Sequence, residues 1–275
     1  MVLLGLAKFV VPTIARSCRY AAVKRCYSVF GIQDLITQDK SDFQLEQVRV
    51  DQQELAVDLL KQHYLPEHVL VRARHMDLTD DRAIDEYLVS LLKQGNTIYA
   101  RADDGRVAGI CVGFASSPVD PRNLRNYAFY RQDPNTKDFL YFTAKLQETP
   151  NLWETFKQQK IFEIKMMTVV PEFRRLGLAT TLVEALKTQA HDQGFSVVRM
   201  DCMNPYDYKV AERCMLHCVV RFPLHRLRGP TAPFVKRSSR HNCCVRVYVA
   251  ARPQPDAPDV KEVREKSREL ENLIE

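Results

Sequence analysis

No stretch of about 18 uncharged apolar residues occurs in the sequence, which excludes a membrane-spanning helix. There is no Cys-x-x-Cys pair. The eight cysteines are irregularly spaced and read as free thiols rather than as a zinc site or a disulfide framework. Glycine is scarce, nine residues in 275, and neither Gly-x-Gly-x-x-Gly nor a Walker loop is present. Those absences exclude the common dinucleotide and nucleoside triphosphate loops. No internal repeat is found, which excludes a repeat array. Acidic residues are missing from the first 33 positions, Asp34 being the first.

That last absence explains the charge. The chain carries a formal +6 with a pI near 8.8, and five positive charges (Lys8, Arg16, Arg19, Lys24 and Arg25) lie in the acid-free segment. Removing residues 1–27 brings the net charge to +1. A basic, acid-free, apolar segment with Ser and Cys has the composition of a mitochondrial presequence. The run Arg25-Cys26-Tyr27-Ser28 resembles a matrix cleavage site. We expect residues 1–27 to direct import to the matrix. A basic arm on a cytoplasmic protein and a secretory signal are the alternatives.

The remainder is ordinary globular material, 45% hydrophobic and 27% charged over the whole chain. Periodicity predicts an α/β order. Strands are expected over 43–50, 97–102, 107–114, 161–170, 195–202, 219–227 and 243–251. Helices are expected over 52–64, 81–93, 136–157 with a break at Pro150, 174–193 and 206–217. Asp103-Asp104-Gly105-Arg106 predicts the turn of a hairpin. Three prolines predict a loop over 116–135. After Pro253, Pro255 and Pro258 the segment 259–275 is highly charged, with Val260, Val263, Leu270 and Ile274 as a thin apolar stripe. It is expected to be a solvated tail helix or disordered, a docking helix being the alternative. The domains expected are thus 1–27, 28–251 and 252–275.

The chemistry is concentrated in FEIKMMTVVPEFRRLGLATTLVEA, residues 162–185. A buried strand runs into Pro171, then Arg174-Arg175-Leu176-Gly177-Leu178-Ala179, then an amphipathic helix. The N–H groups at a helix start lack helical partners, and the helix dipole favours an anion there. With Arg174 and Arg175 alongside, the site suits a pyrophosphate.

This segment resembles motif A of the GNAT superfamily of acyl-CoA-dependent N-acyltransferases, whose pattern is Arg/Gln-x-x-Gly-x-Gly/Ala after the fourth strand. The resemblance implies an α/β, three-layer α+β fold with a central mixed, mostly antiparallel sheet and helices on both faces. It covers Phe43 to Ala251. It implies acetyl-CoA or a related acyl-CoA as cosubstrate and no metal. Arg174, Arg175, Leu176, Gly177, Leu178, Ala179 and Thr180 would hold the pyrophosphate. Met167, Thr168 and Val169 would pair with the pantetheine arm.

Within the superfamily the chain is similar to insect-type arylalkylamine (dopamine-type) N-acetyltransferases. KQHYLPEHVL, residues 61–70, resembles the region that supplies their general base, and Glu67 stands at the matching place. A carboxylate there, relayed by water, would take the proton that an ammonium must lose before attacking a thioester. Read alone, Glu67 is an exposed loop acid, and His63 and His68 are surface residues. DCMNPYDYKVAERCM, residues 201–215, resembles the family's Cys-Ser-Ser-His-Tyr-Ser-Ala segment. Cys202 and Tyr206 match, while Met203 and Asp207 stand where the family has its two serines. Tyr206 or Tyr208 would then supply the hydroxyl near the departing thiolate. Asp207 would contact a cationic substrate or cap the helix, and Met203 would line the substrate site.

The expected activity is acetyl transfer to a small primary amine of the arylalkylamine kind. Acyl-CoA binding without transfer is the rival reading, as is a polyamine, amino acid or protein amine as acceptor. The basic stretch with Arg226, Arg228, Lys236, Arg237 and Arg240 lacks interleaved aromatics, so no nucleic-acid partner is expected.

Overall fold

The computed structural model describes residues 43–229, 233–235, 244–253 and 258–273. The expected presequence, residues 1–27, and Lys236, Arg237 and Arg240 lie outside them.

The described chain runs β1 (Gln44–Gln47), α1 (Gln53–Leu59), α2 (Val69–Arg74), α3 (Arg82–Leu92), β2 (Thr97–Arg101) and β3 (Val107–Ser116). It continues through α4 (Asp120–Phe129), α5 (Pro134–Glu148), α6 (Leu152–Thr155), β4 (Ile161–Val169), α7 (Leu178–Asp192) and β5 (Val197–Cys202). It closes with α8 (Pro205–Arg213), β6 (His217–Pro223), β7 (Cys244–Ala251) and α9 (Val260–Leu273). The strands form one seven-stranded sheet in the order β1-β2-β3-β4-β5-β7-β6. Every pair is antiparallel except β4–β5.

Alternation along the strands builds two cores, because successive side chains leave opposite faces. On β2, Tyr99 joins the core with α1, α3 and α5, while Ile98 and Ala100 join the core with α7 and α8. Helix α7 buries Leu178, Leu182, Val183, Leu186 and Ala190, the apolar face of the amphipathic helix expected there. Each buried Leu or Val contributes about 1.5–3 kcal/mol.

Two features of the middle strands open the sheet. In the β3–β4 register Val112 faces Met166 and Gly113 faces Ile164, so Lys165 is an extra residue and forms a β-bulge. The parallel pairing of β4 with β5 spans only Phe162–Ile164 against Val198–Met200. Beyond Ile164, β4 continues on β3 alone and β5 continues on β7 alone. The sheet therefore splits at the bulge, and among the described residues the β5-facing edge of Lys165–Val169 carries no strand. Gly113 permits the close approach at this point: a Cβ there would overlap the Phe162 ring and the Asn96 carbonyl.

Several expectations need correction. Residues 116–135 contain α4, not only loop. Pro121 sits in its first turn, where a missing N–H costs nothing, and Pro121 and Ala128 are buried. The helix expected from Arg174 begins at Leu178, because Arg175 (φ 67°) and Gly177 (φ 82°) are left-handed. The helix expected to reach His217 ends at Arg213. Met215 is left-handed at φ 59°, and His217 already belongs to β6. The strand expected from Phe43 ends at Gln47. Helix α9 is not merely solvated: Val260 and Val263 are buried in the core it shares with β6 residues.

Candidate active site

The split between β4 and β5 opens into a cleft. One wall comes from the turn after α1. There the helix widens over Leu60–Tyr64, then tightens over Leu65–Glu67, with Pro66 inside the tight turn. That path carries His63, Tyr64, Glu67 and His68 to the cleft, and Thr168 of β4 donates to the His63 carbonyl at 3.2 Å. The opposite wall is the end of β5 and the start of α8, with Asp201, Met203, Asn204 and Asp207. The floor is β4 from Ile164 to Thr168.

Asn204 caps α8, accepting from the amides of Tyr206 and Asp207 at 2.9 and 3.0 Å. The Asp207 carboxylate is therefore not needed as a cap, and it accepts from Asn204 Nδ2 instead. Burial pushes its carboxyl up to about 7, helped by the charge of Glu67. Glu67 is held differently. Arg174 Nη2 donates to it at 2.8 Å while Arg174 Nε donates to the Val169 carbonyl at 2.9 Å. This ion pair joins the glycine loop to the cleft mouth, where the Glu67 side chain is 57% exposed.

A second, smaller cavity continues inward and shares Tyr64, His68, Lys165, Asp201 and Met203 with the first. Its charges are compensated in pairs. Glu163 binds Lys165 at 2.6 Å and Arg199 binds Asp201 at 2.9 Å. Arg199 also donates to the carbonyls of Leu146, Gln147, Thr149 and Pro150 around the end of α5. Burial pushes Glu163 up, but Lys165 and Arg199 pull it net below its ordinary value. Burial wins at Asp201, whose carboxyl is raised despite Arg199. Burial holds His68 neutral, lowering it to about 4, and it packs edge-on against Phe139 and Phe142. Among the described residues its Nδ1 and the Tyr87 hydroxyl, both buried, find no hydrogen-bond partner. Among the described residues no cluster of His, Cys, Asp and Glu could hold a metal.

At the other end of β4, Pro171–Phe173 forms one tight turn and Arg174–Gly177 leads into α7. No side chain caps α7, and the amides of Thr180 and Thr181 close on the Gly177 carbonyl. An uncapped 15-residue helix start next to an unpaired strand edge fits a long phosphorylated ligand laid along β4.

The family model for acetyltransferases of the GNAT family matches residues 57–214, more than half of the chain and the whole region just described. The chain belongs to the GNAT family. It is accordingly an acetyltransferase, and its mixed sheet with helices on both faces is the expected GNAT fold. Solved GNAT-like structures superpose over most of it. A mosquito arylalkylamine N-acetyltransferase like 5b gives a TM-score of 0.71 at 18% identity, over 77% of this chain and 100% of that one. The Drosophila melanogaster polyamine N-acetyltransferase, which forms N-acetylagmatine, gives 0.68 at 19% identity, over 77% and 100%. The C-terminal condensation domain of Ebony, in complex with beta-alanyl-dopamine, gives 0.58 at 11% identity, over 77% and 99%. At these identities the likeness is one of fold.

The GNAT fold brings Glu67, Met167, Thr168, Met203 and Asp207 to one cleft. It does not bring the tyrosines there. Tyr206 is 79% exposed and outside the cleft lining. Tyr208 is buried in the α7–α8 core, donating to the Cys244 carbonyl at 2.7 Å and stacking on Tyr248. Neighbours on a helix point about 100° apart, so a helix that presents Asp207 turns Tyr206 and Tyr208 away. Leu178 is buried beneath the loop, whereas Arg175 and Leu176 are exposed. Sequence reasoning missed Tyr64, Lys165, Arg199 and Asp201, and left His68 at the surface. A signal existed: Glu163/Lys165 and Arg199/Asp201 are opposite charges two apart on apolar strands. Such pairs share a face, and the register sets Glu163 beside Arg199.

Proposed function

We propose that the protein transfers an acetyl group from acetyl-CoA to a small primary amine by direct attack of nitrogen on the thioester. The observation that carries this reading is the unpaired β4 edge, running from the glycine loop to an acid-lined cleft. Acetyl-CoA, when bound, supplies the activated acyl group. Arg174, Arg175 and the amides of Leu176–Ala179 would hold its pyrophosphate, the Thr180 amide being closed on the Gly177 carbonyl, and Met167–Val169 would hold its arm. Backbone N–H groups of β4 beside the bulge would polarise the acyl carbonyl. Arg174 binds the anion at the expense of Glu67, which frees Glu67 to carry a proton from the amine through water to solvent. The inner cavity, apolar on the α5 side with charges already compensated, receives the rest of an arylalkylamine-like acceptor.

Thiol release on a panel of arylalkylamines, polyamines and amino acids tests the reading. Glu67→Gln should lower kcat/KM for the amine by about 10- to 100-fold with acetyl-CoA affinity little changed. No thiol release with any amine, in protein that still binds acetyl-CoA by calorimetry, would leave an acyl-CoA binder instead.

The acid-free segment before Ser28 supports matrix import as the location of this activity. The mature mitochondrial protein is expected to begin close to Ser28; an intact Met1 on cytosolic protein would overturn the assignment.

A further inference from the structure

Besides Asp201, which is committed to Arg199, two carboxylates face the cleft from opposite walls, and they are held in different ways. Glu67 is at the mouth, exposed and paired with Arg174. Asp207 is deeper, partly buried on the first turn of α8. It binds the Asn204 amide, and no cation pairs with it among the described residues. The Met203 backbone N–H also donates to it, but burial and the Glu67 charge outweigh both donors. Glu67 and Tyr64 face it from the turn after α1, and Asp201 and Cys202 from the end of β5. Lys165 lines the same cleft but is committed to Glu163, and His68 is buried and neutral. An anion in such a place lacks only a cation, and the substrate ammonium is one. The buried, unpaired His68 Nδ1 on the same cleft shows further polar capacity that the protein itself does not fill.

We propose that Asp207 is a catalytic carboxylate, binding the substrate ammonium and taking its proton, which then leaves through Glu67. This deepens the amine N-acetyltransferase reading and rests on it. An N–H bond of the ammonium breaks, its electron pair stays on nitrogen for the attack, and an O–H bond forms on Asp207. Water passes that proton to Glu67 and solvent. The second N–H proton leaves with the thiol product, so each turnover releases one proton. Burial and the Glu67 charge set Asp207 at about 7, close to the pH at which a general base works best. The carboxylate stands where the resembling enzymes carry a hydroxyl, so the proton path here is this chain's own.

The test uses the full chain with an amine that it acetylates. In the wild type, kcat/KM for the amine should rise with pH to a plateau with an apparent pKa near 7. Asp207→Asn should lower the plateau by about 100-fold or more and flatten the rise. Asp207→Glu should restore a rise, and Glu67→Gln should move it to lower pH, because a negative charge facing Asp207 is gone. Acetyl-CoA affinity by calorimetry should stay within about threefold in Asp207→Asn, which also reports that the variant is folded. A readout without any ligand follows from linkage. The Asp207 proton is bound more tightly in the folded than in the unfolded chain, so wild-type stability falls as pH rises from about 4 through 7. The melting temperature of the wild type should therefore drop relative to Asp207→Asn across that window. A plateau within threefold of wild type with the rise intact, or a melting difference that ignores pH, would overturn the proposal. If wild type releases no thiol with any amine, the acetyltransferase reading falls and this proposal with it. If wild type turns over and Asp207→Asn matches it, only the proposal falls.

Discussion

Arg199→Met is expected to destabilise the domain by about 4 kcal/mol or more, a large part of the roughly 5–15 kcal/mol that a domain has. The Arg199 side chain is 1% exposed and bonds Asp201 and four carbonyls around the end of α5. A methionine fills much of the same volume, so the loss is electrostatic rather than a cavity. It leaves Asp201 as a buried carboxylate without its partner and the α5 carbonyls without donors. Glu163 keeps Lys165 but loses the second cation that lowers its carboxyl. Denaturant unfolding at neutral pH measures the loss. Because Asp201 becomes an uncompensated acid, part of the lost stability should return as pH falls and the carboxyl protonates. A variant within 1 kcal/mol of wild type at neutral pH would show that the network contributes little. The same residue lines the inner cavity, so a folded remnant of this variant should also bind amine poorly.

Gly177→Val should weaken acetyl-CoA binding by about 100-fold, equivalent to about 2.7 kcal/mol. Gly177 sits at φ 82° just before α7, a conformation that a β-branched residue resists by roughly 1–3 kcal/mol. Space is not the obstacle, since a Cβ there meets nothing within 4 Å. The valine instead drives the backbone out of the left-handed region. The amides that follow then no longer converge on one anion. Most of the fold should survive, because α7 is held by its own buried face beginning at Leu178. Calorimetry with acetyl-CoA, beside a thermal melt, separates the two effects. An affinity within threefold of wild type would remove this loop from cofactor binding.

The part of the site that was legible in the sequence is local. Strand β4, the loop and α7 follow each other without a break, and each announces itself by an apolar run, a glycine or a spacing of four. The helix start was misread by four residues because two left-handed residues precede it, and only Gly177 signals that conformation by its type. Helix α4 was hidden by prolines, which punctuate loops and also begin helices. Helix α9 was misjudged because Val260 and Val263 make a thin stripe whose burial depends on what β6 presents. The tyrosines of α8 were matched by residue type, yet the helix turns only one of three consecutive side chains toward the cleft.

The sequence alone determined the order of the strands and of the longer helices α1, α3, α5, α7 and α8, the two faces of each strand, the glycine loop and the family that these features resemble. These depend on backbone preference and periodicity over a few residues. Tertiary structure decided which acids meet. Arg174 and Glu67 are 107 residues apart and pair because the turn after α1 lands beside the end of β4. Asp207 faces that same turn because β4 leaves β5 at the Lys165 bulge. A carboxyl's proton affinity depends on burial and on every charge within a few ångströms, so no local pattern could assign one acid to the loop arginine and leave the other for the substrate.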